Sequence, residues 1–527
     1  MRGALRSSRA LAALAVLGAI ALGAALLRAD APQTAGRRAG PAIPSLDEAL
    51  PVPDDTVLLE QLHDAIELRR REDFDRVLDA RDPGELLEHA TLTEAMFEGA
   101  TIGADAIFIV GDELFGYLFR PENGWGRGGA DRAAPYYTPR LRRVHHGPAG
   151  GPDAFACISC HFKGGPDGAG MQTQNAFLYG DGERMSTADQ RNPPHLLGLG
   201  PVAALAREMS AALRAQAAEA IERARTEGQP VERALVTKGV AFGRIVADPD
   251  GTLDTGTLDG VDLDLTVRPF GWKGHQATLR GMAQESLHLH QGLLSMGLQR
   301  AVHEGTVPGT AYGSGREWHD LDDDGISFEI DSGMLTTMVG YLAQLEVPVT
   351  RPPRDPGLLD AFAAGRRSFE TIGCARCHVP TLELEDPLLD ARLEPGVEPK
   401  GPPLVINVAK DGEDPKIEPR YAGERTPYLV HLFSDLKRHD MGETLASPAA
   451  QGTIPPQVFL TRPLWGLAET APYLHDGRAP TVHDAIVGHG GEATAARDAY
   501  LALDEPARAG VRVFLTSLAR APKLFVP

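Results

Sequence analysis

Cys157-Ile158-Ser159-Cys160-His161 and Cys374-Ala375-Arg376-Cys377-His378 are two copies of one five-residue pattern, and they use all four cysteines of a 527-residue chain. Cys-x-x-Cys-His is the pattern that attaches c-type haem. Two intervening residues let the thiols reach two vinyl edges of a porphyrin as thioethers, and the adjacent histidine then lies under the macrocycle as an iron ligand. A redox disulfide would not need the histidine. A zinc site would want two such pairs close together, or further histidines at ligand spacing. One such string is within reach of chance. Two that consume every cysteine point to two covalently bound c-type haems, one held by Cys157, Cys160 and His161 and the other by Cys374, Cys377 and His378.

Upstream of the second copy, Phe362, Phe369 and Ile372 fall on one side of a helix over Asp360 to Ile372 that runs into the motif. Near the C-terminus, Val511, Phe514, Leu515 and Leu518 follow i, i+3, i+4, i+7 spacing, a second amphipathic helix. A helix leading into the motif and a closing helix behind it is the cytochrome c arrangement. The first half repeats the outline in stretched form. Gly111-Asp112-Glu113-Leu114-Phe115 resembles Gly365-Arg366-Arg367-Ser368-Phe369, with a long insertion before Cys157. The segment from Arg191 through His195 to Leu199 parallels Arg462 to Leu467, and Leu335, Met338, Val339 and Leu342 make the matching closing helix. Pro348, Pro352, Pro353 and Pro356 follow as a stiff linker. The expected class is mainly α: two cytochrome c-like haem domains with long loops and insertions, at 85–348 and 355–527, after a charged helical region at 32–84. The 58 glycines and 41 prolines supply the long connections.

Arg2, Arg6 and Arg9 precede an uncharged apolar run from Ala10 to Leu27, and Ala29-Asp30-Ala31 follows as a small-x-small cleavage site. Residues 1–31 therefore read as a secretory signal, which sends the protein to the periplasm. Left uncleaved, the same run would anchor the chain in a membrane. The formal charge is −20, so a phosphate backbone is excluded as a partner, because nucleic acid needs a basic face. An acidic surface suits a basic electron-donor protein instead.

Ser434-Asp435-Leu436, His439-Asp440-Met441-Gly442, Leu474-His475-Asp476-Gly477-Arg478 and His489-Gly490-Gly491-Glu492-Ala493 add a family resemblance, together with Arg462 to Leu467 and Phe270-Gly271-Trp272-Lys273. On these strings the chain resembles the bacterial di-haem oxidoreductases within the di-haem cytochrome c peroxidase superfamily, from about residue 110 to the end.

That resemblance implies unequal haems. The C-terminal one, at His378, is six-coordinate and receives electrons. The N-terminal one, at His161, has an open or openable position for peroxide. A second strong ligand tunes potential, whereas catalysis needs a vacant site. For the sixth ligand at His378 the resemblance offers His489 or Met441, with His489 favoured; a bis-histidine pair would lie at lower potential than a His/Met pair. Trp272 corresponds to the tryptophan between the haems. Behind it, Glu285, His288 and His290 are the candidates for the group that moves a proton between the two peroxide oxygens. The bland alternatives are a core tryptophan and a solvated polar helix face.

Asp320, Asp322 and Asp324, with Gly325 and Asp331, imitate the 1, 3, 5, 6 and 12 positions of a calcium loop, although the last ligand is usually glutamate. An exposed acidic turn fits the same residues. The expectation from the whole sequence is a periplasmic di-haem peroxidase taking electrons from a small redox protein and using hydrogen peroxide or another small oxidant. A di-haem oxygenase or protein-oxidising enzyme is the second reading. An electron-transfer cytochrome without substrate is the third.

Overall fold

The structure is a computed structural model. It describes residues 92–99, 102–119, 143–145, 152–295, 297, 330–393, 401–411, 414–420 and 426–521. All of these belong to one unit, Asp55–Pro527. The segment read as a signal, the charged region at 32–84, and Asp320, Asp322 and Asp324 lie outside the described residues.

Two helix crossings carry the haem motifs. Helix α1 spans Glu94–Gly99 and α2 Ala104–Gly116. Helix α3, Leu199–Glu227, and α4, Leu279–Ser286, follow; α5 is Ser332–Gln344 and α6 is Pro356–Thr371. The last three are α7 at Val482–Gly488, α8 at Thr494–Ala502 and α9 at Glu505–Leu515. In the first half α2 crosses α5, and Gly111 sits where a Cβ would collide with the Tyr341 side chain. In the second half α6 crosses α9, and a Cβ on Gly365 would collide with the Gly510 carbonyl. The absence of side chains at these glycines lets the helices approach until their apolar stripes interlock.

The stripes read from sequence are the buried ones. Leu335, Met338, Val339 and Leu342 are buried on α5, and Phe362, Phe369, Val511, Phe514 and Leu515 on α6 and α9. Leu518 is buried too, but it lies beyond α9 in a short strand, Leu518–Ala519, which pairs with Val349–Thr350. The proline-rich stretch after α5 is thereby stitched to the C-terminal end of the chain. Separate apolar clusters form around α2–α5 and α6–α9, and a larger one draws from both halves, from Leu92 to Trp465.

The expected mainly-α class is wrong. The structure is 39% helical and 19% strand, with several small sheets. The largest is an antiparallel meander of Val231–Thr237, Val240–Ala247 and Leu253–Leu258 packed beside α3. Its first hairpin turns at Lys238-Gly239, both at positive φ, the backbone that matches the twist of paired strands. Buried Val231, Leu235 and Thr237 alternate with exposed neighbours, a period of two hidden inside a segment rich in charge. The remaining described strands are two or three residues long, too short for periodicity to register; their partners range from the adjacent hairpin arm, as in Lys410–Asp411 with Asp414–Pro415, to a distant segment, as in Val349–Thr350 with Leu518–Ala519.

Candidate functional site

The second Cys-x-x-Cys-His follows α6 through Gly373, whose φ of 98° reverses the chain, and closes a tight turn in which His378 N donates to Cys374 O at 3.0 Å. Phe369, on the last turn of α6, places its ring centroid 6.4 Å from that of His378. The first copy repeats this. His161 N donates to Cys157 O at 3.2 Å, and Phe115, at the end of α2, lies 6.3 Å from His161 by ring centroids. All four cysteines are unpaired, as thioether formation requires. Burial pushes the Cys157 and Cys160 thiols up to about 12.

A cavity of about 350 Å³ opens beside the second motif, within the range of cofactor pockets. Cys374, Cys377, His378 and His489 line it, as do Met441 and Trp272. His489, just after α7, has its ring centroid 6.4 Å from that of His378 at an interplanar angle of 57°. Each ring is tied through Nδ1 to a main-chain carbonyl: His378 to Phe433 O at 3.1 Å and His489 to Ala485 O at 2.7 Å. A carbonyl only accepts, so both Nδ1 atoms carry the proton and both Nε2 atoms keep a lone pair. Burial, with the charge of His489 adding to it, pushes His378 down to about 4, and burial also lowers His489. Two neutral imidazoles thus share one apolar-walled cavity. The cavity, the thiols and the opposed imidazoles fit a covalently attached haem with two histidine ligands. Met441 lines the same cavity without any such pairing of donors.

Trp272 lines this cavity and donates from Nε1 to Asn192 O at 2.8 Å. Pro193 and Pro194 line it as well, and the Pro194 carbonyl lies near enough to His161 to favour its protonated form. Trp272 is therefore joined to the chain segment that touches the first motif's histidine. Arg462 lies over its ring, 5.5 Å from the centroid.

Around His161, Nδ1 donates to Gly168 O at 3.3 Å, and burial together with the charge of His290 pushes the ring down to about 4. Glu285, on α4, is engaged by His275 Nε2 at 2.7 Å and Gln276 Nε2 at 2.9 Å. His288 and His290 fall on a π-helix, Leu287–Gln291, that continues α4. His288 is buried, whereas His290 pairs with Asp153 and retains partial exposure. Asp331 is the N-cap of α5: its Oδ1 accepts from Gly333 N at 2.7 Å and Glu94 N at 2.6 Å. Sequence reading missed Asp153, His145, Asp435 and Glu492 as partners of histidines. Glu492 with His439 and Asp153 with His290 meet across 53 and 137 residues and leave no local signature, whereas Asp435 with His439 and Asp153 with His145 stand four and eight residues apart outside helices, where spacing does not predict contact.

Residues 410–518 match the family model described as "Di-haem oxidoreductase, putative peroxidase". No curated protein matches the chain. Among solved structures, hydrazine synthase from Kuenenia stuttgartiensis is 13% identical, covering 81% of this chain and 93% of its own, at a TM-score of 0.32. A MauG-like protein associated with microbial copper homeostasis is 15% identical, covering 74% and 95%, at a TM-score of 0.29. Likeness at that level carries no argument. The family match does, because it contains the His439 to Gly442, Leu474 to Arg478 and His489 to Ala493 strings and neither Cys-x-x-Cys-His motif, so it is independent of them. Over residues 410–518 the chain is similar to the di-haem oxidoreductase family.

Proposed function

We propose that this protein is an exported di-haem oxidoreductase that reduces hydrogen peroxide, with a small redox protein as electron donor. Cys157, Cys160 and His161 would hold one covalent haem in the first half of the chain. Cys374, Cys377 and His378, with His489 as sixth ligand, would hold the other in the second. The haems, when bound, supply the electrons and an iron position at which the O–O bond is reduced. The chain's own residues divide the work. Phe115 and Phe369 press on the two proximal rings. Trp272 spans from the second cavity to the Asn192–Pro194 segment beside His161. His290 supplies acid–base chemistry on the His161 side.

The observation that carries this reading is the inequality of the two sides. His378 faces a second imidazole with its Nε2 lone pair available. On the His161 side, His290 is bound through Nδ1 to a carboxylate, the arrangement of a proton-transfer group. Glu285 is less suited, being held by both His275 and Gln276.

The test uses the holoprotein with both haems attached and a reduced small cytochrome as donor. Peroxide-dependent oxidation of the donor, with one low-spin and one high-spin ferric centre at rest, is the expected result. Two low-spin centres indifferent to peroxide and carbon monoxide would leave electron transfer alone. A stable dioxygen complex in the isolated protein would favour an oxygenase.

A further inference from the structure

Asp153, four residues ahead of Cys157, holds two imidazoles at once. Its Oδ2 lies 2.8 Å from His145 Nε2, and its Oδ1 and Oδ2 lie 3.1 Å and 3.3 Å from His290 Nδ1. A carboxylate only accepts, so His145 donates from Nε2 and His290 from Nδ1. The two rings stand edge to face with centroids 5.7 Å apart. His145 is fully buried and the Asp153 side chain is 10% exposed, while His290, at 29%, reaches open space. The main chain locks the group further: Asp153 N and Ala154 N both donate to His290 O, at 2.9 Å and 3.2 Å. The segment that leads into the first haem motif thus clamps the π-helix bearing His290. Such helices are rare and concentrate at functional sites.

We propose that His145, Asp153 and His290 form a buried imidazole–carboxylate–imidazole relay, in which Asp153 fixes the His290 ring and leaves Nε2 as the acid–base atom serving the His161 haem site. This rests on the reading of that site as the one that takes peroxide. His290 Nε2 accepts the proton from the near oxygen of hydrogen peroxide and returns it to the far oxygen, which leaves as water. The oxygen left behind becomes the second water by taking two electrons from the reduced donor protein and two protons from solvent. Asp153 holds the imidazolium formed in between. Burial alone would raise the Asp153 carboxyl, but the charge of His290 and hydrogen bonds from both rings hold it well below the usual carboxylate range. Burial opposes charge on His290 as well, and Asp153 raises it regardless, with Glu285 adding to the effect.

The same three donors lie close enough together to hold a metal ion. Two features favour protons. The separations are those of hydrogen bonds. A ligating histidine also donates its remaining N–H to a partner, whereas His145 Nδ1 is buried with none. With Nε2–H given to Asp153, that Nδ1 is a bare lone pair, the less costly orphan.

The experiment compares wild-type holoprotein with D153N, H145Q, H290A and D153N/H290A. In D153N the kcat for peroxide reduction should fall roughly 10²-fold with KM within about threefold, H290A should lose at least as much, and the double variant should be no worse than H290A. A second reading needs no turnover: capture of cyanide by the oxidised protein, in which HCN must give up its proton. D153N and H290A should slow it at least roughly 10-fold, and H145Q by a smaller factor. Cyanide capture at the wild-type rate in H290A or D153N overturns the relay. So does a third metal equivalent beyond the two irons that D153N removes. If the wild type does not turn over peroxide, the functional reading falls while the cyanide series still decides the relay. If D153N fails to carry both haems, H290A and H145Q decide it.

Discussion

Glu492 and His439 clasp two distant strings of the sequence. Glu492 Oε2 accepts from His439 Nδ1 at 2.7 Å, and its Oε1 accepts from Asp440 N at 2.9 Å. On the other edge of the ring, Nε2 donates to Asp435 Oδ2 at 2.9 Å. Both partners only accept, so the ring is an imidazolium held between carboxylates beside Cys377. Gly490 and Gly491 lie against the backbone of Asp440 to Gly442, where a side chain on Gly491 would collide with the Asp440 carbonyl. The short strand Arg438–Asp440 therefore sets where the segment bearing His489 lies.

This clasp has a pH signature. Burial would lower His439, but its hydrogen bond to Asp435 raises it above the ordinary imidazole value. A folded pKa above the unfolded value of about 6.5 gives stability that is complete below that pH and is lost as pH rises through the folded value. Calorimetric melting should therefore fall between about pH 7 and pH 10 in the wild type. H439N should start lower and show a flatter slope. An equal slope in both would remove His439 from the account.

Replacing His489 by alanine should convert one low-spin haem of the holoprotein to high spin, because the second imidazole in the His378 cavity is lost. M441L should leave the spin states as they were. The opposite pattern in the visible and electron paramagnetic resonance spectra would make Met441 the ligand.

The helix crossing at Gly365 should tolerate no side chain. G365A places a methyl into the Gly510 carbonyl and should cost at least about 1–3 kcal/mol in denaturant unfolding, through overpacking. G103A, at the N-cap of α2 with open space around it, should change stability by less than about 0.5–1 kcal/mol.

Asp331 acts on helix α5 through Gly333 N and reaches α1 through Glu94 N. D331A should lower stability by about 1–2 kcal/mol, the usual loss of an N-cap. The loss should be the same with calcium or with a chelator. A loss seen only when calcium is present would restore the loop at 320–331 as its ligand set.

The legible parts of the sequence were those in which chemistry or packing repeats at short range. Each haem motif spans five residues. The stripes of α5, α6 and α9 recur every three or four residues, and the copies Gly111 to Phe115 and Gly365 to Phe369 align by eye. His489 was legible as the favoured partner of His378 because it stood in a distinctive string; that both rings line one cavity with their Nδ1 atoms tied to main-chain carbonyls was not. The mainly-α expectation failed on strands two or three residues long, too short to show a period of two, and on a meander whose alternation was masked by charged residues on its exposed face.

By itself, then, the sequence determined the two Cys-x-x-Cys-His anchors proposed for haem: the pattern lies in residues joined through a few peptide bonds, and no fold is needed to read it. Only the tertiary structure decided how the anchors differ. The imidazole facing His378, the carboxylate gripping His290 and the clasp between His439 and Glu492 join residues 53 to 137 positions apart. Such contacts exist only once helix packing has excluded water and brought those side chains within hydrogen-bonding distance.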